Sequence, residues 1–313
     1  MNVTTYFVII GVSGFPALQL PIFLIVFIMY LLTLGGNMII FLLVCFDRNL
    51  HTPMYFFLAN LSILDICCST VSLHKVIIAF ISANNTTSLT DCLVQIFIFL
   101  CLTCDELLIL TAMSYDRYVA ICVPLHYHQI MNHKVSGLLA VMCWVSGVLE
   151  SIPTFMELLK LKCFISNKIN HFFCDIIPLM KLSCSNTSVL QLYILIVGGF
   201  ACGFIPFALT FISYVFIIFT ILKIKSSAGR RKAFYTCSSH LTVVTLLYTS
   251  LVFQYLRPNS SIDLSFTKFS SLFNTAAIPV LNPLIYSLKN KDVKTALRRR
   301  IQYTDLPHKS TLM

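Results

Sequence analysis

Seven long stretches of this chain are almost entirely apolar, and each is long enough to cross a lipid bilayer as a helix. The hydrocarbon core of a bilayer is about 30 Å thick, so a spanning helix needs about 20 apolar residues. The stretches are apolar on every side instead of alternating with polar residues, which favours helices over the strands of a membrane barrel. With ends accurate to about four residues, the seven spans cover residues 21–45, 55–81, 93–115, 135–155, 190–222, 234–256 and 266–288.

The composition excludes the common classes of soluble protein. Residues of the set AVILMFWYC make up 58% of the 313 residues, charged residues make up 11%, and the mean hydropathy is +0.86. Soluble domains are about 45–50% apolar and about 25% charged, which excludes an ordinary soluble enzyme, a nucleic-acid-binding protein and a disordered protein. We predict an all-α membrane protein with an N-terminal segment (1–20), a seven-helix transmembrane bundle (21–288) and an amphipathic C-terminal helix and tail (289–313).

The basic residues predict how the chain is oriented. Residues 1–20 contain no Lys or Arg, whereas residues 223–232 contain five and residues 289–313 contain seven. Cytoplasmic segments carry the basic excess, so we predict a multi-pass plasma-membrane protein with an extracellular N-terminus and a cytoplasmic C-terminus. Most of the net charge of +10 then faces anionic membrane lipids and not nucleic acid. Glycosylation sequons on the predicted outer side begin at Asn2, the site we expect to be modified, and at Asn84, Asn85, Asn186 and Asn259.

Four of the 13 cysteines lie on the predicted outer side, where an oxidising environment permits disulfides. Cys92, Cys163, Cys174 and Cys184 allow two disulfides in three connectivities. The other cysteines are expected to be small buried apolar residues. Cys101 and Cys104 have the spacing of a metal or redox pair, but no second pair or histidine is near them in the sequence. We therefore predict no metal site there.

Four local motifs resemble those of one receptor family. They are LHTPMYFFLANLSILD at residues 50–65, MSYDRYVAIC at 113–122, KAFYTCSSHL at 232–241 and PVLNPLIYSLKN at 279–290. Together with seven spans, this set resembles an olfactory (odorant) receptor of the rhodopsin-like G-protein-coupled class, in the tetrapod-type group. The second and fourth motifs are shared by rhodopsin-like receptors in general, whereas the first and third are specific to olfactory receptors.

The resemblance implies two disulfides and a set of coupling residues. It implies bonds between Cys92 and Cys174 and between Cys163 and Cys184. It also implies that Arg117 pairs with Asp116 at rest and meets the G protein after activation. A buried histidine with satisfied hydrogen bonds is the alternative to a switching role for His240. The residues implied to act in coupling or switching are Asp116, Arg117, Tyr118, Tyr214, His240, Asn282, Pro283 and Tyr286.

Three carboxylates lie in the middle of predicted spans. Buried carboxylates must be hydrogen-bonded, neutralised or bound to a cation. Asn37 and Asn282 are the expected partners of Asp65 and Glu106. The resemblance implies a sodium ion near Asp65, in a site that Glu106 would strengthen. A protonated, hydrogen-bonded cluster without an ion is the alternative. Asp105 departs from the family pattern, and it either bonds to span four or five or reaches the floor of a ligand pocket.

The outer half of the third span predicts part of a ligand pocket. At helical spacing, Phe99, Leu100, Thr103 and Cys104 are expected to share one inward face. The family pattern completes an apolar wall that carries a few hydroxyl groups and suits a small hydrophobic ligand. Helix packing is the alternative role for every residue of the pocket. The residues that the resemblance adds are Cys202, Tyr248, Leu251, Val252, Tyr255 and Thr275.

The predicted function is that of an odorant receptor, which is not an enzyme. The resemblance implies a small hydrophobic odorant as ligand and a stimulatory-type heterotrimeric G protein that raises cyclic AMP. A rhodopsin-like receptor for a non-volatile or internal ligand outside the nose is the alternative. A transporter or channel is disfavoured, because the two halves of the chain contain no internal repeat. No cofactor is expected apart from the sodium ion.

Overall fold

The apolar segments form long helices because backbone polar groups inside a bilayer must be satisfied within the segment itself. The computed structural model describes residues 6–11, 16–82, 84–255, 264–289 and 291–305. The predicted glycosylation site Asn2 and the sequon at Asn259 lie outside the described residues. Within them, the predicted all-α architecture with seven spanning segments is confirmed.

Six helices of the described residues are long and apolar enough to cross a membrane. The seventh apolar segment is also helical, but a π-helical turn at Phe273–Ala277 divides it into two shorter helices. A longer π-helical segment, Ile194–Phe204, interrupts the fifth span. In chain order, the α-helices are α1 (Pro16–Phe46), α2 (Pro53–Ser82), α3 (Leu89–Cys122), α4 (Tyr127–Ile130), α5 (His133–Leu158), α6 (Ile176–Leu182), α7 (Ser188–Tyr193), α8 (Ile205–Lys223), α9 (Ser227–Tyr255), α10 (Leu264–Leu272), α11 (Ile278–Lys289) and α12 (Lys291–Asp305).

The helices extend beyond the apolar stretches because hydropathy marks only the depth of the hydrocarbon, whereas capping and loop geometry decide where a helix ends. The sequence predicted a third span over 93–115. In the structure, α3 begins after Ser88, whose hydroxyl oxygen accepts a hydrogen bond from the backbone N–H of Asp91 at 3.0 Å. It continues to Cys122, so the motif residues Asp116 and Arg117 remain helical and project from the last turns of the helix.

Helix α3 lies at the centre of the bundle and packs against α2, α5 and α8. The interior around it contains buried polar side chains, including Asp65, Asp105 and Glu106. Large apolar side chains such as Ile25 and Val141 are exposed instead. This arrangement is typical of a membrane protein, because lipid solvates the apolar exterior while polar groups find partners only inside the bundle.

A small sheet covers one end of the bundle, which we call the sheet end. Strand β1 (Tyr6–Ile9) pairs antiparallel with β2 (Thr86–Ser88) and parallel with β3 (Lys168–Ile169), which gives the order β2-β1-β3. This sheet was not predicted from the sequence. Strands of four, three and two residues are too short to produce a recognisable hydropathy period.

The loop between α5 and α7 is fastened at the sheet end by two disulfides. Cys92 at the start of α3 is bonded to Cys174, and Cys163 is bonded to Cys184 within the loop, with Cα–Cα distances of 5.3 and 5.4 Å. These are the two pairings that the family resemblance implies. Gln95 reinforces the first, because its Oε1 accepts a hydrogen bond from the backbone N–H of Cys174 at 3.1 Å.

The opposite end of the bundle, which we call the α12 end, carries the predicted amphipathic helix. Its residues Val293 and Ala296 are buried. Arg299 forms an ion pair with Asp47 at 3.3 Å. The backbone N–H of Asn49 beside Asp47 and the nearby Arg299 lower the pKa of the Asp47 carboxyl below its ordinary value, although partial burial opposes them. The helix is therefore fixed to the loop between α1 and α2 by both packing and charge.

Candidate functional site

A cavity of about 1210 Å³ lies in the half of the bundle nearer the sheet end. Its walls come from α3, the π-helical part of the fifth span and α9, while α6 of the disulfide-bonded loop covers it. The π-helical segment brings Gly198 and Gly203 to the wall, where the absence of side chains leaves room for a ligand. The lining is mainly apolar with a few hydroxyl, thiol and amide groups, which is the usual character of a site for a small molecule.

Eight of the ten residues predicted to contact a ligand line this cavity. Along α3, the lining residues follow the helical spacing and are joined by Leu107, one turn deeper, which the sequence analysis did not name. Their contact with a ligand remains a prediction. The eight are Leu100, Thr103, Cys104, Cys202, Tyr248, Leu251, Val252 and Tyr255.

Phe99 and Thr275 are buried but are not among the residues that line the cavity, so their contact with a ligand stays a prediction. Phe99 is rotated about 100° from Leu100 around the helix axis, and its ring lies 5.2 Å from that of Phe173 in the loop. Thr275 lies in the π-helical turn of the seventh span. Its backbone carbonyl accepts a hydrogen bond from Ser69 of α2 at 2.9 Å, so it joins two helices away from the cavity.

Asp175, which was not identified from the sequence, links the loop to α9 at the roof of the cavity. Its Oδ1 accepts a hydrogen bond from the backbone N–H of Ile176 at 2.7 Å, and its Oδ2 accepts one from Gln254 at 3.2 Å. Tyr255 donates a third bond at 3.4 Å. Burial raises the pKa of Asp175 to about 6 despite these bonds. The one available signal was its position directly after Cys174, in front of a short helix.

A buried aromatic cluster in the same loop packs against α3. His171 stacks on Phe172 with ring centroids 4.7 Å apart, and Phe173 contacts both rings. Burial and the nearby Lys268 lower the pKa of His171 to about 3. The histidine is therefore neutral at physiological pH and acts as part of an apolar contact between the loop and Phe99.

The carboxylates Asp65 and Glu106 lie close enough to repel each other in the middle of the bundle. The amide nitrogen of Asn282 donates to both oxygens of Asp65 at 3.0 Å. The prediction that Asn37 also bonds to Asp65 was wrong. Its amide donates to the backbone carbonyls of Thr33 and Pro279. The Pro279 carbonyl is free for this bond because Pro283, four residues later in the helix, has no N–H to donate. Oxygen Oε1 of Glu106 is buried without a hydrogen-bond partner.

Asp105 faces α5 and does not line the cavity. Its carboxylate lies against Gly147, where any larger residue would overlap it. Of the two roles considered for Asp105, the structure therefore places it in a helix contact with span four. The contact is not fully satisfied, because its Oδ1 is buried without a hydrogen-bond partner.

The motif residues at the α12 end form an ion pair. Arg117 lies 3.1 Å from Asp116, and the hydroxyl of Tyr127 in α4 donates to the other Asp116 oxygen at 2.8 Å. Burial and the adjacent carboxylate raise the pKa of Tyr127 above its ordinary value of 10. The neighbouring Tyr118 packs edge-on against Phe216 of α8.

A buried histidine connects three spans next to this ion pair. His240 of α9 is 3.1 Å from the backbone carbonyl of Leu110, which requires an N–H on its Nε2. Its Nδ1 is then the acceptor for the hydroxyl of Tyr214 at 2.7 Å. Both ring nitrogens of His240 therefore have hydrogen-bond partners, as expected for the buried, hydrogen-bonded histidine that was the alternative to a switching role. Tyr286 of α11 lies nearby, with its hydroxyl buried and without a hydrogen-bond partner.

Pro283 brings α11 close to α1. A Cβ added at Gly36 would lie 3.0 Å from Cγ of Pro283, so a larger residue there would press on the ring. The proline therefore acts in this structure as a packing surface between the first and seventh spans.

The arrangement of the helices is that of the rhodopsin-like receptors. The fold matches the crystal structure of squid rhodopsin with a TM-score of 0.71, over 92% of this chain and 86% of that one. The two sequences are 18% identical, so this likeness establishes the fold alone. The class is thus a multi-pass membrane protein with the seven-helix receptor fold.

Sequence comparison then identifies the family within that class. The olfactory receptor family profile matches residues 26–303. Human Olfactory receptor 8D1 is 45% identical over 298 residues, covering 95% of this chain and 96% of that protein. Human Olfactory receptor 6C3 is 46% identical over 301 residues (95% of each chain), and mouse Olfactory receptor 8B8 is 44% identical over 295 residues (94% and 95%). The chain belongs to the olfactory receptor family, whose members are odorant-binding, G-protein-coupled receptors and not enzymes.

Proposed function

We propose that the cavity binds a small, mostly hydrophobic odorant and that the occupied receptor activates a stimulatory-type heterotrimeric G protein, which raises cyclic AMP. The observation that carries the proposal is the apolar cavity beneath a loop held by two disulfides. Its hydroxyl groups, such as those of Thr103 and Tyr248, suit a ligand with an alcohol, ketone, ester or acid group. A non-volatile or internal ligand outside the nose is the second candidate, because the same apolar wall would accept it.

The membrane orientation follows from the basic residues. The α12 end carries the basic C-terminal segment and faces the cytoplasm, where anionic lipids attract it. The sheet end, with the N-terminal strand and both disulfides, faces the oxidising exterior. The cavity then lies near the outer surface of the plasma membrane, where an odorant arrives.

Helix α9 couples the cavity to the G-protein surface. Its outer half supplies Tyr248 and Leu251 to the cavity wall, and its inner half supplies His240, which bonds to Leu110 and Tyr214. A ligand that moves α9 therefore strains these two hydrogen bonds. Their loss releases α9 from α3 and the fifth span and frees Arg117 from its resting ion pair, so that it can contact the G protein.

Gly198 offers a direct test of the ligand cavity. A Cβ added there meets nothing within 4 Å, and the residue is part of the cavity lining. Cells that express the chain are screened with an odorant library, and cyclic AMP is measured. Gly198→Leu is expected to shift the response towards smaller odorants, whereas Gly35→Leu on α1, where a new Cβ also meets nothing within 4 Å, is expected to leave it unchanged. If the wild type, Gly198→Leu and Gly35→Leu all respond to odorants of the same size, the proposed site is contradicted.

Arg117 tests the coupling step. Arg117→Ala is expected to abolish the odorant-evoked rise in cyclic AMP while surface expression stays near the wild-type level, because the side chain lies at the end of α3 and is not part of the apolar core. Full signalling by this variant at normal surface expression would refute the assigned role. Loss of surface expression is separated from loss of coupling by labelling the receptor on intact cells.

Asp65 and Glu106 are the residues that would hold a sodium ion. Two buried carboxylates that repel each other, one with an unpartnered oxygen, form a donor set of the kind that hard cations prefer. The ion would offset the repulsion and fix α2 against α3. Agonist potency in the wild type is then expected to depend on sodium concentration, and Asp65→Asn is expected to remove that dependence. Equal potency with and without sodium in the wild type would favour the protonated cluster.

A further inference from the structure

Three side chains from three different spans converge at the wall of the cavity. They are Cys104 of α3, Glu150 of α5 and Cys202 in the π-helical part of the fifth span. Their ligand atoms all lie within 4.8 Å of one another. The thiol of Cys202 donates a hydrogen bond to Oε2 of Glu150 at 2.6 Å. Two of the three residues line the cavity, so a small solute inside it reaches them.

A second acidic side chain lies next to this cluster, and no ion pair of the described residues reaches either acid. Asp105, the neighbour of Cys104 in α3, lies close enough to Glu150 to interact with it electrostatically. Its Oδ1 is buried and lacks a hydrogen-bond partner. In the part of the chain that the structure describes, the ion pairs involve Arg117, Lys160 and Arg299, and none of them reaches this cluster.

We propose that Cys104, Glu150 and Cys202 bind a divalent cation of the zinc class that enters from the cavity. Two thiolates and one carboxylate form a donor set that zinc prefers over magnesium or calcium. Three protein ligands would leave the fourth tetrahedral position open for water or for a ligand from the cavity, which Cys104 and Cys202 line. On binding, two metal–sulfur bonds and one metal–oxygen bond form, and the two thiols release their protons to water.

The present geometry needs only a small adjustment to accept the ion. In a tetrahedral zinc site, a thiolate sulfur and a carboxylate oxygen are about 3.5 Å apart, given metal distances of about 2.3 and 2.0 Å. Cys202 and Glu150 therefore separate by about 1 Å as the cation replaces the thiol proton between them. The bound ion would join α3, α5 and the fifth span at the depth of the cavity wall, and its charge would compensate Glu150 and Asp105.

The first experiment measures zinc binding by the purified full-length receptor in detergent micelles, without any odorant. The protein is stripped with a chelator and dialysed against Zn²⁺, and bound metal is quantified. Wild type is expected to bind Zn²⁺ more tightly as the pH rises, because the thiols must lose protons. Cys104→Ser, Cys202→Ser and Glu150→Gln are each expected to weaken binding by at least about tenfold, whereas Cys143→Ser, at a buried thiol outside the cluster, is not.

A second measurement remains informative if a variant fails to fold. Co²⁺ added to the wild-type protein is expected to give the near-ultraviolet charge-transfer absorption of thiolate ligands, and Zn²⁺ is expected to displace it. Binding that lacks this absorption and is lost in His126→Asn, His128→Asn or His133→Asn would place the metal on the inner loop and overturn the proposal. Because no odorant is used, the result is independent of whether the cavity binds an odorant.

Discussion

Gly147 lies at a close contact between α3 and α5, and Gly147→Ala probes the Asp105 contact directly. A Cβ at this position would overlap the carboxylate of Asp105, with its Cγ only 2.7 Å away. It would also lie 2.9 Å from the backbone carbonyl oxygen of Cys101. A backbone atom cannot rotate away as the end of a side chain can. The substitution therefore requires the two helices to separate.

The size of the effect follows from two opposing contributions. Replacing glycine by alanine inside a helix stabilises it by about 0.5–1 kcal/mol, because the unfolded chain loses freedom. Overpacking a close contact costs about 1–3 kcal/mol. The net expectation is a loss of about 1–2 kcal/mol in the free energy of unfolding. Gly137→Ala lies ten residues earlier in the same helix, α5, where a new Cβ meets nothing within 4 Å, so this variant is expected to be neutral or slightly stabilising.

Thermal unfolding of the purified receptor and surface expression in cells both measure this effect. Gly147→Ala is expected to lower both, and Gly137→Ala to lower neither. In the double variant Asp105→Ala with Gly147→Ala, the carboxylate no longer blocks the new methyl group. The double variant is then expected to lose about 1 kcal/mol less free energy of unfolding than the sum of the losses of the two single variants. Equal stability of Gly147→Ala and Gly137→Ala would refute the close contact.

Three further predictions concern the loop, the inner end and the seventh span. Asp175→Asn removes a buried carboxyl whose pKa is raised from 3.8 to about 6. As the pH falls, the carboxyl of the folded protein takes up its proton at a higher pH than the carboxyl of the unfolded chain. The free energy of unfolding of the wild type is therefore expected to rise by about 1 kcal/mol relative to this variant between about pH 7 and pH 5, as measured by thermal unfolding; a pH-independent difference contradicts this. Asp116→Asn removes the charge that pairs with Arg117, so cyclic AMP without agonist is expected to rise; an unchanged basal level argues against a resting lock. Gly36→Ala places a methyl group 3.0 Å from the seventh-span proline ring and is expected to lower thermal stability by about 1 kcal/mol, whereas Gly35→Ala, with open space beside it, is not; equal stability would count against that packing.

Much of the fold could be predicted because hydropathy is a local property. Seven apolar stretches, the basic C-terminal segment and four contiguous motifs are readable without knowledge of any contact, and the family comparison agrees with them. Residues at helical spacing on one helix were also largely predictable, as Leu100, Thr103 and Cys104 of α3 demonstrate. The short strands could not be predicted, since their pairing with distant segments and not their hydropathy makes them strands.

By itself, the sequence determined the class of protein, the number of spans and the position of each motif along the chain, because these depend on runs of neighbouring residues. Only the tertiary structure decided which side chains meet. It turned Phe99 towards the loop, directed Asn37 to the backbone of the seventh span, and placed Asp175 between the loop and α9. It also brought Cys104, Glu150 and Cys202 together from three spans. Such contacts depend on the rotation of each helix about its axis and on two π-helical segments, where one extra residue per turn changes the face that every later side chain presents.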